Sequence, residues 1–448
     1  VFSYLINFQV NKTSFQSKWN STETLNFWKV DKNKKMTPSI RLQHPTGIVK
    51  TTIQLPASKS ESNRALIIRA LSNNSHALLE NLSPARDTQT MLRLLSSEES
   101  TLDVIDAGTT MRFLTAYLAV RGQQKILTGT ARMCQRPIGI LTAALAELGA
   151  DITFLNEKGF PPLKINGFHY SGKKELTVRG DISSQYISAL LMIAPVLPEG
   201  LTIHLTGKVG SKPYIAMTLA LMRHYGVTST WQGNTIHIAA QNYQPTSYVV
   251  ESDWSAASYW FAIAALAQEA EIQLQGLRQN SWQGDSVIAQ LATHFGVKAT
   301  FNETGVLLTK DKTNSAPSEA IDFEDCPDLA QTYLVLAAAK KVNVTAIGLE
   351  SLYIKETDRV AALQAELKSF KATLTEIKKG EVTLNANSFE INQQVSITTY
   401  DDHRMAMAFA PLALLQSISI QHPEVVVKSY PDFWNDLRKA GFTVNLEQ

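Results

Sequence analysis

The chain has 448 residues, 44% hydrophobic and 18% charged, with a formal net charge of only +2. That length allows two sizeable cores. The near-neutral balance excludes a general attraction to nucleic acid or an anionic membrane, and the longest apolar runs, 189–197 and 405–415, are too short to span one.

Residues 1–35 are rich in Asn, Ser, Thr and Lys and lack a period. No small-residue cleavage pattern closes their apolar start. Met36 then opens a stretch that reads like an ordinary beginning, so residues 1–35 are expected to be a disordered extension or to lie upstream of the true start. From about Ile40 a pattern repeats: a strand, a loop carrying a basic residue and often Pro, a helix closed by Gly, and a strand pair. One copy starts at 124–127, passes Arg136-Pro137 and reaches Gly149; another starts at 201–204, passes Lys212-Pro213 and reaches Gly226. Further copies start at 271–274, 342–344 and 418–420, and the last passes Lys428 and Pro431 to Gly441. Glycine just past a helix suits the left-handed C-cap position. The irregular spacing argues against a solenoid and for a globular α/β protein of two similar halves, with a crossover near Ser252-Asp253.

The loops that carry chemistry come in chain order. Residues 56–64, ahead of a helix expected over 65–71, offer Lys59, Ser60 and Arg64. Hydroxyls and a lysine at a helix start can hold phosphate or carboxylate, but the glycines of a Walker loop are missing. Residues 106–112 offer Gly108, which lets a ligand approach the backbone closely, and Arg112. Ser183, Ser184 and Gln185 precede another helix, as do Ser211 and Tyr214 around Lys212. Residues 351–360 crowd Lys355, Glu356, Asp358 and Arg359 ahead of an apolar helical pattern; on a helix's first turn Lys355 and Arg359 would share a face. His403 and Arg404 follow paired acids. Each loop alone can be read as a plain helix cap. Together, Lys59, Arg64, Arg112, Arg136, Lys212, Lys355, Arg359, Arg404 and Lys428 fall at equivalent strand-to-helix positions. If the halves face one another, these loops line one cleft, repel one another when it is empty, and suit a small substrate carrying several phosphate and carboxylate charges. His204 and His237 read as structural. Cys134 and Cys326 show neither metal-ligand spacing nor a disulfide framework, which fits a reducing cytoplasm.

The ordered set resembles the 5-enolpyruvylshikimate-3-phosphate synthase family. The matching pieces are Ser58-Lys59-Ser60 with Asn63-Arg64-Ala65-Leu66, Ala107-Gly108-Thr109, Arg136-Pro137-Ile138-Gly139, Ser183-Ser184-Gln185, Ser211-Lys212-Pro213-Tyr214, Pro327-Asp328, the 355–359 turn, the 402–407 stretch and Lys428. The resemblance runs from about Thr37 to Gln448. It implies an α/β fold of two similar domains, each of three βαββαβ units with pseudo-threefold symmetry, and a site in the cleft between them. The expected division is 36–54 with 252–448 as the domain holding both termini, and 55–251 as an inserted domain.

The implied reaction moves enolpyruvyl from phosphoenolpyruvate to the 5-hydroxyl of shikimate 3-phosphate and releases phosphate, with no metal or other cofactor. By resemblance, Lys59, Ser60, Arg64, Ser183, Ser184, Gln185, Ser211, Tyr214, Asp328 and Lys355 bind shikimate 3-phosphate. Lys59, Gly108, Arg136, Gln185, Arg359, Arg404 and Lys428 bind phosphoenolpyruvate. Asp328 is the implied base at the hydroxyl, and Glu356 and Lys59 the implied proton-transfer groups. Two positions depart from the family's pattern: Asp106 and Ser351 stand where Asn is usual. A carboxylate at 106 would repel phosphoenolpyruvate unless a neighbouring Arg paired with it. No nucleic-acid or membrane partner is implied, and the chain is expected to act as a cytoplasmic monomer. The alternatives are a UDP-N-acetylglucosamine enolpyruvyl transferase, disfavoured because Cys134 lies two before Arg136 without a Gly-rich loop, and a non-catalytic anion-binding protein of the same fold.

Overall fold

The computed structural model describes residues 38–72, 78–181, 183–311, 320–392 and 395–447; the expected extension, 1–35, lies outside the described residues. Buried apolar side chains gather in two clusters, one drawn from 40–55 and 254–444, the other from 57–250. The chain passes between the two lobes at two segments lying side by side, joined by an isolated β-bridge between Ala57 and Ser252. Ser58 N–H donates to the Glu251 carbonyl and Asp253 N–H to the Pro56 carbonyl, both at 2.8 Å. Asp253 ties the lobes further. Its Oδ1 caps the helix Trp254–Leu266 by accepting from Ala256 N–H, and its Oδ2 accepts from Lys59 N–H at the start of the helix Lys59–Leu71. Trp254–Leu266 is apolar on every side and is accordingly buried almost throughout.

The described strands form five four-stranded sheets and one two-stranded sheet. In one, Thr101–Asp103 and Lys125–Thr128 run parallel, joined by the helix Gly108–Val120. After a second helix, Gly139–Glu147, the hairpin of Ala150–Phe154 and Leu163–Phe168 folds back, and Leu163–Phe168 pairs with Lys125–Thr128. The same order recurs from Glu175–Arg179 and, in the other lobe, from Ile48–Gln54, Ile321–Asp322 and Ser396–Ile397. In the last sheet Ser39–Gln43, from the start of the chain, takes the fourth place between Ile418–Gln421 and Thr443–Glu447. The sixth is reduced to Leu79–Glu80 alongside Tyr248–Val249. Within this two-lobed architecture the unit reads βαβαββ, so the expected order βαββαβ is corrected. Parallel neighbours need a crossover helix, whereas a hairpin can close directly, so both helices precede the hairpin. His204 and His237 sit on sheet strands and bond Thr235 and Thr202, structural as expected.

This order positions the chemistry. Each helix after a parallel strand begins beyond that strand's carboxyl end, where crevices of α/β sheets take ligands. Its free N–H groups and its capping loop therefore face the space between the lobes.

Candidate active site

Two arginines and two lysines converge with five carboxylates near the centre of the cleft. Arg359, 2% exposed, donates from Nε to Asp402 Oδ2 at 2.7 Å, from Nη1 to Asp328 Oδ1 at 3.1 Å and from Nη2 to Glu356 Oε2 at 3.1 Å. Arg404 pairs with Asp328 Oδ2 at 2.7 Å and donates to Tyr259 Oη at 3.2 Å and Ser255 Oγ at 3.3 Å. Lys428, 1% exposed, reaches across to the other lobe: its Nζ lies 2.8 Å from Asp106 Oδ2, 3.4 Å from Glu356 Oε1 and 3.7 Å from Asp87 Oδ1. Asp87 Oδ2 holds Lys59 Nζ at 3.2 Å. The expected repulsion among basic loops is thus replaced by an alternation of cations and carboxylates from both lobes.

That alternation fixes the charge states. Burial pushes the Asp328 and Glu356 carboxyls up, but Arg404, Lys355 and Arg359 around the first, and Lys428, Arg359 and Arg136 around the second, more than offset it. Both are held far below the ordinary carboxylate range. Burial likewise works against Arg404 and Lys428. Asp328 in the first case, and Asp87, Glu356 and Asp106 in the second, hold them above their ordinary values. His403 is 1% exposed with no hydrogen bond to either ring nitrogen, and burial beside Lys59 and Arg404 pushes it well below its ordinary value. It is a neutral imidazole in a charged neighbourhood.

Two further cations of the proposed ligand sites, Arg136 and Lys355, take no part in the ion pairs of the cleft. Arg136 lies against Gly108, where a Cβ would come within 2.6 Å of its Nη2, so Gly108 makes room for the guanidinium as well as for a ligand. Lys355 lies half-buried, and burial pushes its ammonium below its ordinary value despite Asp328. Around these, Tyr214 Oη donates to Asp328 Oδ2 at 3.3 Å and Gln185 Nε2 to Thr109 Oγ1 at 3.1 Å. Ser183 caps the helix Ser184–Ile193. Ser211, at φ 53°, donates to the Glu324 carbonyl across the cleft at 3.3 Å. Among the described residues no group of three or more His, Cys, Asp or Glu is placed to hold a metal ion, and no helix is long and apolar enough to cross a membrane.

Several expectations change. The helix expected over 65–71 already starts at Lys59, because Ser58 caps it by accepting from Glu61 N–H. Ser60 and Arg64 therefore lie within it, and Arg64 turns into its own lobe. There its guanidinium is held by Thr218, Ser188 and the carbonyls of Ser60 and Tyr214. Arg112 is held the same way, by the Gly108 and Pro137 carbonyls. Lys212 is exposed and leaves the cluster. Lys355 and Arg359 do not share a helix face: Asp358 caps the helix Arg359–Lys368 by accepting from Ala361 N–H, and Lys355 precedes it. Asp106 is paired as its position demands, with both oxygens 2.9 Å from Arg86 Nη2.

Sequence reasoning missed Arg86, Asp87, Ser255, Tyr259 and Asp285. A signal was present for the first two. Arg86-Asp87 opens the helix Arg86–Leu95 just after Leu79–Glu80, the same strand-to-helix place as the other site loops.

Asp285 is 4% exposed, accepts a short hydrogen bond from Ser255, and leaves Oδ1 without a partner. Burial first, then the negative Asp328, push its carboxyl up to about 7. Its folded value lies above its unfolded value, so the folded state binds the extra proton and stability falls as pH rises toward 7. Melting temperatures of wild type and Asp285→Asn should therefore diverge between about pH 5 and pH 7, increasingly in the variant's favour. Parallel curves would remove this assignment.

The family model described as EPSP synthase (3-phosphoshikimate 1-carboxyvinyltransferase) matches residues 94–437. A 3-phosphoshikimate 1-carboxyvinyltransferase of Bacteroides fragilis (strain YCH46) is 50% identical over 402 residues, 89% of this chain and 97% of that protein. One from Enterobacter sp. (strain 638) is 34% identical over 433 residues, 90% and 99% of the two chains. The solved EPSP synthase of Acinetobacter baumannii superposes with a TM-score of 0.73 at 21% identity, covering 92% of this chain and all of that one. The enolpyruvyl transferase NikO of Streptomyces tendae gives 0.69 at 12% identity, with 92% and 99% covered, a likeness of fold. With the family model spanning most of the chain and relatives matched over nearly their whole length, the chain belongs to the EPSP synthase family.

Proposed function

We propose that the chain transfers the enolpyruvyl group of phosphoenolpyruvate to the 5-hydroxyl of shikimate 3-phosphate, releasing phosphate, in the cleft between its lobes. The supporting observation is the cation array of Lys59, Arg136, Lys355, Arg359, Arg404 and Lys428, drawn from both lobes and interleaved with Asp328 and Glu356. Two polyanionic substrates need such an array, and addition followed by elimination needs groups that exchange protons.

The hydroxyl oxygen bonds to C2 of phosphoenolpyruvate while C3 takes a proton, giving a tetrahedral intermediate. Loss of the proton from C3 and of phosphate from C2 restores the double bond. Asp328 takes the hydroxyl proton, and Glu356 with Lys59 serves C3. In the arrangement described, Asp328 and Glu356 are ionised and weakly basic, because the site cations grip them. A substrate carboxylate or phosphate that claims Arg404, Lys428 or Arg359 loosens that grip. Burial then raises the carboxyls toward useful proton-transfer values. Lys59, Ser60, Ser183, Ser184, Gln185, Ser211, Tyr214 and Lys355 take shikimate 3-phosphate. Gly108, Arg136, Arg359, Arg404 and Lys428, with Lys59 and Gln185, take phosphoenolpyruvate. Arg64 sets the floor of the first site through Ser60, Ser188 and Thr218. The Ser351 hydroxyl is buried without a partner, poised for a short contact or a water. We read residues 36–54 with 252–448, and 55–251, as the two domains, and a cytoplasmic monomer as the working form; both cysteines are free.

The test is phosphate release by the purified, chelator-treated chain. It should need both substrates. Equal turnover with UDP-N-acetylglucosamine in place of shikimate 3-phosphate would sink the reading. Cys134, half-buried with its Sγ 3.6 Å from the Gly129 carbonyl, argues against that outcome.

Asp106 gives a second prediction. Burial pushes its carboxyl up, yet Lys428 and Arg86 hold it below the ordinary range. Arg86→Ala leaves this negative charge to Lys428 alone. Because the Arg86 side chain is 41% exposed, the pair is worth up to about 1 kcal/mol, so KM for phosphoenolpyruvate should rise up to about fivefold. Asp106→Asn in the same chain should reverse the rise; no reversal would refute the compensation.

A further inference from the structure

One interlobe contact is not accounted for by substrate charge. The short helix Ala131–Cys134, capped by Thr130, presents Arg132 across the cleft. Its Nε donates to the Glu356 carbonyl and its Nη2 to the Lys355 carbonyl, each at 3.1 Å. These carbonyls belong to a stretch, 355–357, that is neither helix nor strand, between the 3-10 helix Glu350–Ile354 and the helix Arg359–Lys368. Such a stretch has no internal ladder to hold it. Yet it carries the Lys355 ammonium and the Glu356 carboxylate, whose contacts with Arg359 and Lys428 must be placed to within a fraction of an ångström.

We propose that Arg132 is a positioning residue: from the opposite lobe its guanidinium clasps the 355–356 backbone, so that closure of the cleft sets Lys355 in register for shikimate 3-phosphate and Glu356 in register for proton transfer. This rests on the reading of the cleft given above. The clasp is suited to the task because it joins a fork of N–H donors to two neutral carbonyls. It therefore occupies no cleft carboxylate as its partner. Arg132 is itself exposed, so it adds little to the stability of either lobe, and its effect is spent on geometry. The same loop supplies Arg136, which rests on Gly108, so one short segment serves the ligand side and the backbone side of the cleft together.

Two measurements on the full chain test this. Hydrogen exchange of the peptide over 350–358 needs no turnover: in Arg132→Ala it should become faster, with the rest of the chain unchanged. Unchanged exchange there overturns the clasp whatever the reaction proves to be. For kinetics, a small misplacement of a reacting group can cost about 10²-fold, so kcat of Arg132→Ala should fall by about that factor, with a smaller rise in KM for shikimate 3-phosphate through Lys355. Added free guanidinium ion should restore part of kcat. A wild-type kcat, or a fall in kcat that guanidinium does not relieve, would also overturn it. Failure of the wild-type chain to release phosphate would instead strike the functional reading, leaving the exchange result to judge the clasp.

Discussion

Arg359→Ala is expected to destabilise the fold by about 3–5 kcal/mol, well beyond a loss of substrate affinity. The family resemblance implies that Arg359 is a charged fork for phosphoenolpyruvate, so its loss would weaken that ligand. The structure changes the expectation. The guanidinium is almost fully buried and answers three carboxylates at once, Asp402, Asp328 and Glu356. Asp402 is itself fully buried and caps the helix His403–Phe409. Removing the cation leaves buried negative charges facing one another, the costly way to break a buried ion pair. Urea denaturation should show a lower midpoint. Arg359→Lys should recover only part of it, because a single ammonium cannot take the place of a planar fork among three acids. The pH dependence adds a sign. Asp328 and Glu356 have depressed values in the fold, so they contribute stability that is present above the ordinary carboxylate value, about 4, and is lost as pH falls below it. In Arg359→Ala this acid-sensitive part should shrink. A wild-type midpoint together with weakened phosphoenolpyruvate binding would restore the simpler reading.

The site's cations were legible in the sequence because the fold repeats a rule: a parallel strand ends, a basic loop follows, a helix starts. Arg136, Lys355, Arg404 and Lys428 all obey it. Arg64 and Arg112 obey it too, yet they point into their own lobe. Where a helix starts decides which face its second turn presents, and that start is set by one cap, Ser58 for Arg64. Such one- or two-residue choices are the least legible feature of a sequence. Glu356 was legible because it lies beside Arg359 in the chain, whereas Asp328, with no cation next to it, came only from the family resemblance. Asp106 and Lys428 are separated by 322 positions, and only the packing of the lobes brings them together. Asp285 is harder still. Nothing near it in sequence marks it as a site residue, and its importance comes from burial beside Asp328 and Arg404.

Glu356→Gln should leave the fold nearly intact and remove most of the turnover. The amide keeps the size of the side chain and can still accept from Arg359 Nη2, now 3.1 Å from Glu356 Oε2. It loses the charge that pairs with Lys428 at 3.4 Å, but Lys428 keeps Asp106 and Asp87, so no buried cation is stranded. The variant cannot exchange a proton as a carboxyl does. If Glu356 serves C3 of the enolpyruvyl group, kcat should fall by about 10²–10⁴-fold. Affinity should move the other way. In the wild-type chain the Glu356 carboxylate competes with an incoming phosphate for Lys428 and Arg359; the neutral amide competes less, so the dissociation constant of phosphoenolpyruvate should stay equal or decrease. Falling turnover with undiminished binding separates a proton-transfer group from a binding group. Equilibrium binding of phosphoenolpyruvate in the presence of shikimate 3-phosphate, measured beside kcat, decides it. Turnover within a few-fold of wild type would remove Glu356 from the proton path and leave it as a partner that orients Arg359 and Lys428.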